Sequence, residues 1–288
     1  MKETKRQIPF IKMDGLGNDF VLIDARAKKA KLNAKDIRIL GDRQTGIGFD
    51  QLFILEKSAC ADIKMNIYNS DGSKAGACGN GARCVGKFLF EDCNCRCARA
   101  KGRAAPKIAT IEAPYGKILQ VKTAAGGLFS VNMGKAVFEA QKIPLAGGIN
   151  PLKMPILLKG LGAPTAVSMG NPHAVFFVQR LEDICIEKLG PLVETNTKIF
   201  PDRTNVEFAQ IISPSKILMR VWERGAGITR ACGSGACATL AAAFKMGLSA
   251  NKAQIIMPGG TLTIEQKPDG DIYMTGPAHT AFCGVAFL

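Results

Sequence analysis

Two six-residue stretches of this 288-residue chain are nearly the same: Ala77-Cys78-Gly79-Asn80-Gly81-Ala82 and Ala231-Cys232-Gly233-Ser234-Gly235-Ala236. They lie 154 residues apart (232 − 78), and other pairs keep that spacing. Gln51 and Asn205 are 154 apart, as are Asn69 and Glu223, while Gly17-Asn18 and Gly170-Asn171 are 153 apart. A near-constant offset is the mark of an internal duplication. It restricts the chain to folds made of two equivalent halves, each long enough to bury a core of its own.

Within each half, short apolar or alternating runs punctuated by Gly, Asn and Pro read as strands, for example Ile63 to Tyr68 and Ile217 to Trp222. Each Cys-Gly-x-Gly then opens a helix-periodic segment. The second of these helices, Ala236 to Met246, is apolar on almost every face, so it belongs inside the protein with strands around it. Asn33 is the expected N-cap of a helix running toward Gly41, and a further helix is expected to carry Leu181, Ile184 and Leu189. The predicted class is strand-rich α/β (α+β): two pseudo-symmetric domains, each a mixed sheet or barrel wrapped round a central helix, with the active site in the cleft between them. Residues 1–132 form the half carrying Cys78, and 133–277 the half carrying Cys232.

Composition narrows the possible functions. The formal charge of +14 comes from Lys and Arg that are scattered apart from a tail at Lys2, Lys5 and Arg6 and a run around Arg96, Arg99, Lys101, Arg103 and Lys107; no aromatic residues interleave with that run, so no nucleic-acid partner is expected, and the field suits an anionic small molecule. No apolar run reaches the length of a membrane helix, and the polar start Met1-Lys2-Glu3-Thr4 has no signal-peptide character, so the expected location is cytoplasmic with no membrane partner. Ten cysteines in such a chain argue against a disulfide framework. Cys60, Cys185 and Cys283 are expected to be small core residues. Cys93, Cys95 and Cys97 invite a metal reading, but a tetrahedral zinc site wants four ligands at wider spacing; the segment reads as a solvated loop and no metal is expected.

The two repeated cysteines are the chemical feature. A helix N-terminus offers unpaired N–H groups and the positive end of a dipole, which stabilise a thiolate and can bind a carboxylate. Glycines at 79, 81, 233 and 235 leave the backbone open to a ligand. Two thiols facing one α-carbon would suit stereochemical inversion, one removing a proton and the other supplying one. Cys84 and Cys237, further along the same helices, are the better candidates for a buried structural role.

Taken together, Gly15-Leu16-Gly17-Asn18-Asp19-Phe20, Phe49-Asp50-Gln51-Leu52, Asn69-Ser70-Asp71-Gly72, Gly170-Asn171-Pro172-His173, Thr204-Asn205-Val206-Glu207, Glu223-Arg224-Gly225 and the two cysteine motifs resemble diaminopimelate epimerase. The resemblance spans essentially the whole chain. It implies epimerisation of LL- to meso-diaminopimelate in lysine and peptidoglycan precursor synthesis, without a cofactor, by a homodimer whose C-terminal residues 278–288 return to the first domain. By motif, Cys78 and Cys232 look like the two catalytic bases, conventionally donor and acceptor, and His173 and Glu223 like residues that support them. Asn18, Gln51, Asn69, Asn171, Asn205 and Arg224 look like substrate ligands, with Gly79, Asn80, Gly233 and Ser234 lending backbone N–H groups. Ile228 stands where the family commonly has an acidic residue, and Phe282 where a tyrosine associated with dimer contacts is often found. The alternatives are a proline-racemase-like or phenazine-biosynthesis-type isomerase and, in another class, a thiol or metal module built on Cys93, Cys95 and Cys97.

Overall fold

The computed structural model describes residues 6–76, 78–92 and 108–288; Ala77 and the Cys93, Cys95 and Cys97 segment lie outside the described residues. The chain divides into two compact units, Met1–Val131 with Gly276–Leu288, and Asn132–Thr275.

The first unit runs β1 (Gln7–Gly15), β2 (Asn18–Asp24), α1 (Ala34–Gly41), β3 (Gln51–Glu56), β4 (Ile63–Asn69), α2 (Gly79–Asp92), β5 (Ile108–Glu112), β6 (Ile118–Ala124) and β7 (Leu128–Lys135), the last of which continues into the second unit. The second follows with β8 (Thr165–Ser168), β9 (Pro172–Phe177), α3 (Ile186–Glu194), β10 (Asn205–Ser213), β11 (Lys216–Glu223), β12 (Gly227–Thr229), α4 (Gly233–Lys245), β13 (Lys252–Met257), β14 (Gly260–Gln266) and β15 (Asp271–Gly276). A final strand, β16 (His279–Phe287), pairs antiparallel with β1 in the first unit.

The pairing pattern repeats. In the first unit β1–β2 is antiparallel, β2–β3 parallel, β3–β4 antiparallel, β4–β5 parallel and β5–β6 antiparallel. In the second, β8–β9, β9–β10, β10–β11, β11–β13 and β13–β14 follow the same series. Register repeats too: Phe20 lies opposite Gln51 and His173 opposite Asn205, while Leu52 faces Tyr68 and Val206 faces Trp222. The predicted strand-rich mixed architecture is therefore present in both halves.

In each unit the strands pack around one helix. Helix α2 touches β1, β2, β5 and β6, and α4 touches β8, β9, β10, β13 and β14. Every residue of α4 from Gly235 to Ala243 is buried, as its uniformly apolar sequence requires. Helix α1 starts where the sequence indicates, with Asn33 accepting from the Asp36 N–H and Asp36 accepting from the Asn33 N–H, a reciprocal capping box.

Two expectations are corrected. The helix expected to carry Leu181, Ile184 and Leu189 is two pieces, a 3₁₀ turn over Leu181–Asp183 and then α3, because residues 184 and 185 are extended or non-helical. Cys60, Cys185 and Cys283 are exposed, not core. Cys60 sits in the turn between β3 and β4 beside the Ser58 hydroxyl, Cys185 holds the N-cap position of α3, and Cys283 lies mid-strand on β16, whose side chains are largely exposed.

Helix α2 enters its sheet on a glycine. A Cβ added at Gly81 would lie 2.2 Å from Phe53 Cζ, and Phe53 is itself fully buried and stacked on Phe20 with ring centroids 5.0 Å apart. Gly81→Ala gains about 1 kcal/mol of helix propensity but forces the ring to move, at about 1–3 kcal/mol. The expected outcome is a lower urea midpoint with an unchanged m-value; a midpoint at or above that of the unsubstituted protein would show that the ring yields freely.

Candidate active site

In the first unit the predicted residues collect at strand ends next to the start of α2. Asn18 opens β2, Gln51 opens β3 and Asn69 closes β4, so the parallel and antiparallel pairings bring their amides together. Gln51 Nε2 donates to Asn69 Oδ1 (3.3 Å), and Asn80 Nδ2 donates to Asn18 Oδ1 (2.8 Å). Cys78, half-buried, accepts from the Gly81 N–H at 3.3 Å, so the sulfur lies over the first turn. Gly79 and Asn80 are the first two residues of the helix, where N–H groups lack intrahelical partners.

Behind these amides stands an ionic cluster that sequence reading passed over. Asp50 accepts from Asn18 Nδ2 (3.3 Å), and Arg43 bridges Asp50 (2.7 Å) and Asp19 (2.8 Å), which also takes Lys12 (2.6 Å). Burial pushes the Asp19 carboxyl up, but hydrogen bonds from Arg43 and Lys12 outweigh it and hold the group at about 2. Arg83, fully buried in α2, donates from Nη1 to Asn80 Oδ1 and from Nε to the Pro277 carbonyl, both at 3.0 Å. The signal for Lys12, Asp19 and Arg83 was charge within otherwise apolar elements; Arg43 and Asp50 lie in the connection between α1 and β3 and carried no such signal.

The second unit repeats the arrangement with different groups. Asn171 and His173 lie at the start of β9, Asn205 opens β10, Glu223 closes β11, and Cys232 is the N-cap of α4, accepting from the Gly235 N–H at 3.4 Å. His173 is fully buried. Its Nδ1 is 2.7 Å from Glu207 Oε1 and its Nε2 3.1 Å from Asn171 Oδ1; Asn171 Nδ2 reaches Ser234 Oγ at 3.4 Å, and Ser234 Oγ is 3.5 Å from Cys232 Sγ. Asn205 is engaged with backbone at both ends, donating to the Pro172 carbonyl (2.9 Å) and accepting from the Arg224 N–H (3.0 Å). The exposed Arg224 side chain donates to the Asp202 carbonyl at 2.9 Å. Glu223 accepts from Thr229 Oγ1 at 2.5 Å, while neighbouring Ile228 points half-exposed on β12. Gly233 begins the helix.

The electrostatics of Cys232 run against a simple helix-dipole expectation. Burial pushes its thiol well up, and the carboxylates of Glu223 and Glu207 push the same way, outweighing hydrogen bonds from Ser234 and Gly235. Burial likewise raises the Glu223 carboxyl. Cys84 and Cys237 are buried in their helices, with the Cys84 thiol pushed up to about 12 by burial, in keeping with structural roles. Glu207, beside His173 and Cys232, was not singled out in the sequence, although a glutamate inside the buried run Asn205-Val206-Glu207-Phe208-Ala209 is an anomaly that a strand pattern exposes.

A strand-rich unit, repeated, with a cysteine at the start of each central helix defines a class. Solved structures share the fold: a phenazine biosynthesis protein of the PhzF family from Bacillus anthracis (TM-score 0.67, 16% identity, 98% of this chain and 100% of that one) and a hydroxyproline epimerase from Agrobacterium vitis (TM-score 0.68, 15% identity, 100% and 93%). The diaminopimelate epimerase family model matches residues 10–139 and 165–281. Proteins named diaminopimelate epimerase from Rhodospirillum centenum and Methanococcus maripaludis are 46% and 42% identical, each over 96% of this chain and over 91% and 98% of their own. The chain belongs to the diaminopimelate epimerase family and is an isomerase of the epimerase type.

The Asp19 cluster has a pH signature. A carboxyl held at about 2 in the folded protein against an ordinary 3.8 contributes stability that is present above 3.8 and lost as pH falls through about 2. Asp19→Asn removes that contribution, so urea unfolding should show the gap between the two proteins narrowing across this interval. A gap independent of pH would mean that the ionised carboxylate is not what stabilises the cluster.

Proposed function

We propose that the chain interconverts LL- and meso-diaminopimelate by proton exchange at one α-carbon, with no cofactor, using Cys78 and Cys232. One thiolate takes the α-proton; the C–H electrons spread into the α-carboxylate as an enediolate, and the other thiol protonates the opposite face. The observation that carries this reading is the family match across both halves, each of which supplies a cysteine seated on the first turn of a glycine-started helix.

Several features support the assignment of roles. N–H groups at Gly79, Asn80, Gly233 and Ser234 suit the reacting carboxylate and the charge that develops on it. Diaminopimelate carries two carboxylates and two ammoniums, for which Arg224, Glu223 and the amides of Asn18, Gln51, Asn69, Asn171 and Asn205 are chemical complements. With its surroundings favouring the thiol, Cys232 must pass its proton on before acting as the base. Glu223, close to Cys232 and with its carboxyl raised by burial, is a matched acceptor. Such an activity belongs to cytoplasmic lysine and peptidoglycan precursor synthesis.

A homodimer is part of the same reading. Strand β16 pairs only with β1 among the described strands, and Phe282, Val285 and Phe287 on it are about half exposed (50%, 47% and 59%). Such an apolar edge strand wants a cover. Phe282→Glu should shift the protein from dimer to monomer in sedimentation velocity; a monomeric parent protein, or a variant that stays dimeric, would remove this strand from the interface.

The catalytic proposal is tested with LL-diaminopimelate in deuterium oxide. Deuterium should enter the α-position as meso product forms, proline should not be turned over, and Cys78→Ala and Cys232→Ala should each lower kcat by on the order of 10³-fold or more. Absence of α-exchange in the parent protein, or full activity in either variant, would overturn the two-thiol scheme.

A further inference from the structure

The two halves fill one pair of equivalent positions in opposite ways. His173 follows Phe20 by 153 residues and Glu207 follows Phe53 by 154, and the matching strand registers make them structural counterparts. In the first unit the pair is two stacked rings; in the second it is an imidazole and a carboxylate, both fully buried, 2.7 Å apart. The fold at this point is satisfied by apolar side chains, and burying a polar pair costs more than burying two rings. Its presence beside Cys232 calls for a reason other than packing.

The second observation is an unmatched atom. Glu207 Oε2 is buried and has no hydrogen-bond partner among the described residues. A carboxylate carrying a full uncompensated charge in that state is expensive. The cost falls if the pair as a whole is neutral, with one proton between Oε1 and Nδ1 and the second ring proton on Nε2. Nε2 then donates to Asn171 Oδ1, which turns the Asn171 amide N–H toward Ser234 Oγ and leaves the serine hydroxyl hydrogen for Cys232 Sγ.

We propose that Glu207 is a positioning residue: by holding a proton against His173 Nδ1 it fixes Nε2 as a donor and so aims the chain His173, Asn171, Ser234 at the Cys232 sulfur, where it stabilises the thiolate. This role rests on the epimerase reading of Cys232 but acts through protonation and direction, not through contact with substrate. Glu223 is the other carboxylate near both Cys232 and the pair. Gly235 is part of the same device, since a Cβ there would lie 2.7 Å from Glu207 Oε1.

The chain has only two histidines, so imidazole ¹⁵N NMR of a His279→Asn background reports on His173 alone. Nε2 should be protonated at neutral pH; an unprotonated Nε2 with the proton on Nδ1 overturns the proposal without reference to activity. Two variants test the consequence. Glu207→Gln keeps a donor for Nδ1 and should retain the Nε2–H form and kcat within about 10-fold, whereas Glu207→Leu removes the partner and should lower kcat on the order of 10²-fold with KM within about 3-fold. The leucine brings to this position the apolar character that Phe53 already has in the first unit, and thermal melts establish that both variants are folded. Parental kcat in the leucine variant, or equal losses in both variants with the His173 signals unchanged, would overturn the positioning role. Turnover of LL-diaminopimelate by the parent protein is scored separately, so failure of the epimerase reading is not confused with failure of this one.

Discussion

In each half the central helix meets its strands on a glycine, and the seating of each cysteine depends on that contact. Gly81 and Gly235 occupy equivalent places, 154 residues apart (235 − 81), and at each a Cβ would collide with the residue beneath it, Phe53 in one case and Glu207 in the other. Removing the side chain lets the helix start sit down on the strands with its first N–H groups still available. The cysteine immediately before the helix then folds back over the turn, accepting from the N–H three residues on in both units. A larger residue at either glycine forces a displacement, either of the side chain beneath or of the helix start that seats the sulfur.

What lies beneath the glycine is where the halves have diverged. The Phe20 and Phe53 rings give the first unit a dry, inert floor; His173 and Glu207 give the second a titratable one. The neighbouring positions changed in step, with Gln51 matched by Asn205 and Asn69 by Glu223. Burial differs as well: Cys78 is half-buried, while Cys232 is buried among carboxylates. A duplicated frame has thus kept its backbone pattern while leaving Cys78 half-buried and enclosing Cys232 beside two carboxylates.

The repeat, the strand-rich class and the position of each cysteine at a helix start were legible in the sequence because they rest on local signals: a fixed offset, glycine punctuation and apolar periodicity. The Asn33 cap was legible for the same reason. Contacts set by tertiary pairing were not. His173 and Glu207 meet across parallel strands 34 residues apart, and Arg83 reaches the Pro277 carbonyl 194 residues away. The exposed Cys60, Cys185 and Cys283 were misread because a cysteine's small apolar side chain says nothing about which side of an edge it faces. Glu207 left a trace, a charge within a buried run, but its partner did not.

At Cys232 a helix start alone does not favour an ionised sulfur. A helix N-terminus stabilises a negative charge by about 0.3–1 kcal/mol, and by about 2 kcal/mol in favourable partly buried geometry. Each unit of pKa corresponds to about 1.36 kcal/mol, and desolvation of a fully buried group moves it by as much as about 3–5 units. The dipole alone therefore loses to burial at Cys232, the more so with the Glu223 carboxylate adding repulsion of the same sign. An ionised sulfur there requires directed hydrogen-bond donors and a nearby base to take the proton. Ser234 and the Gly235 N–H are such donors, and Glu223 is the base on the reading proposed above, so the helix start positions the sulfur while the residues around it set how readily it ionises.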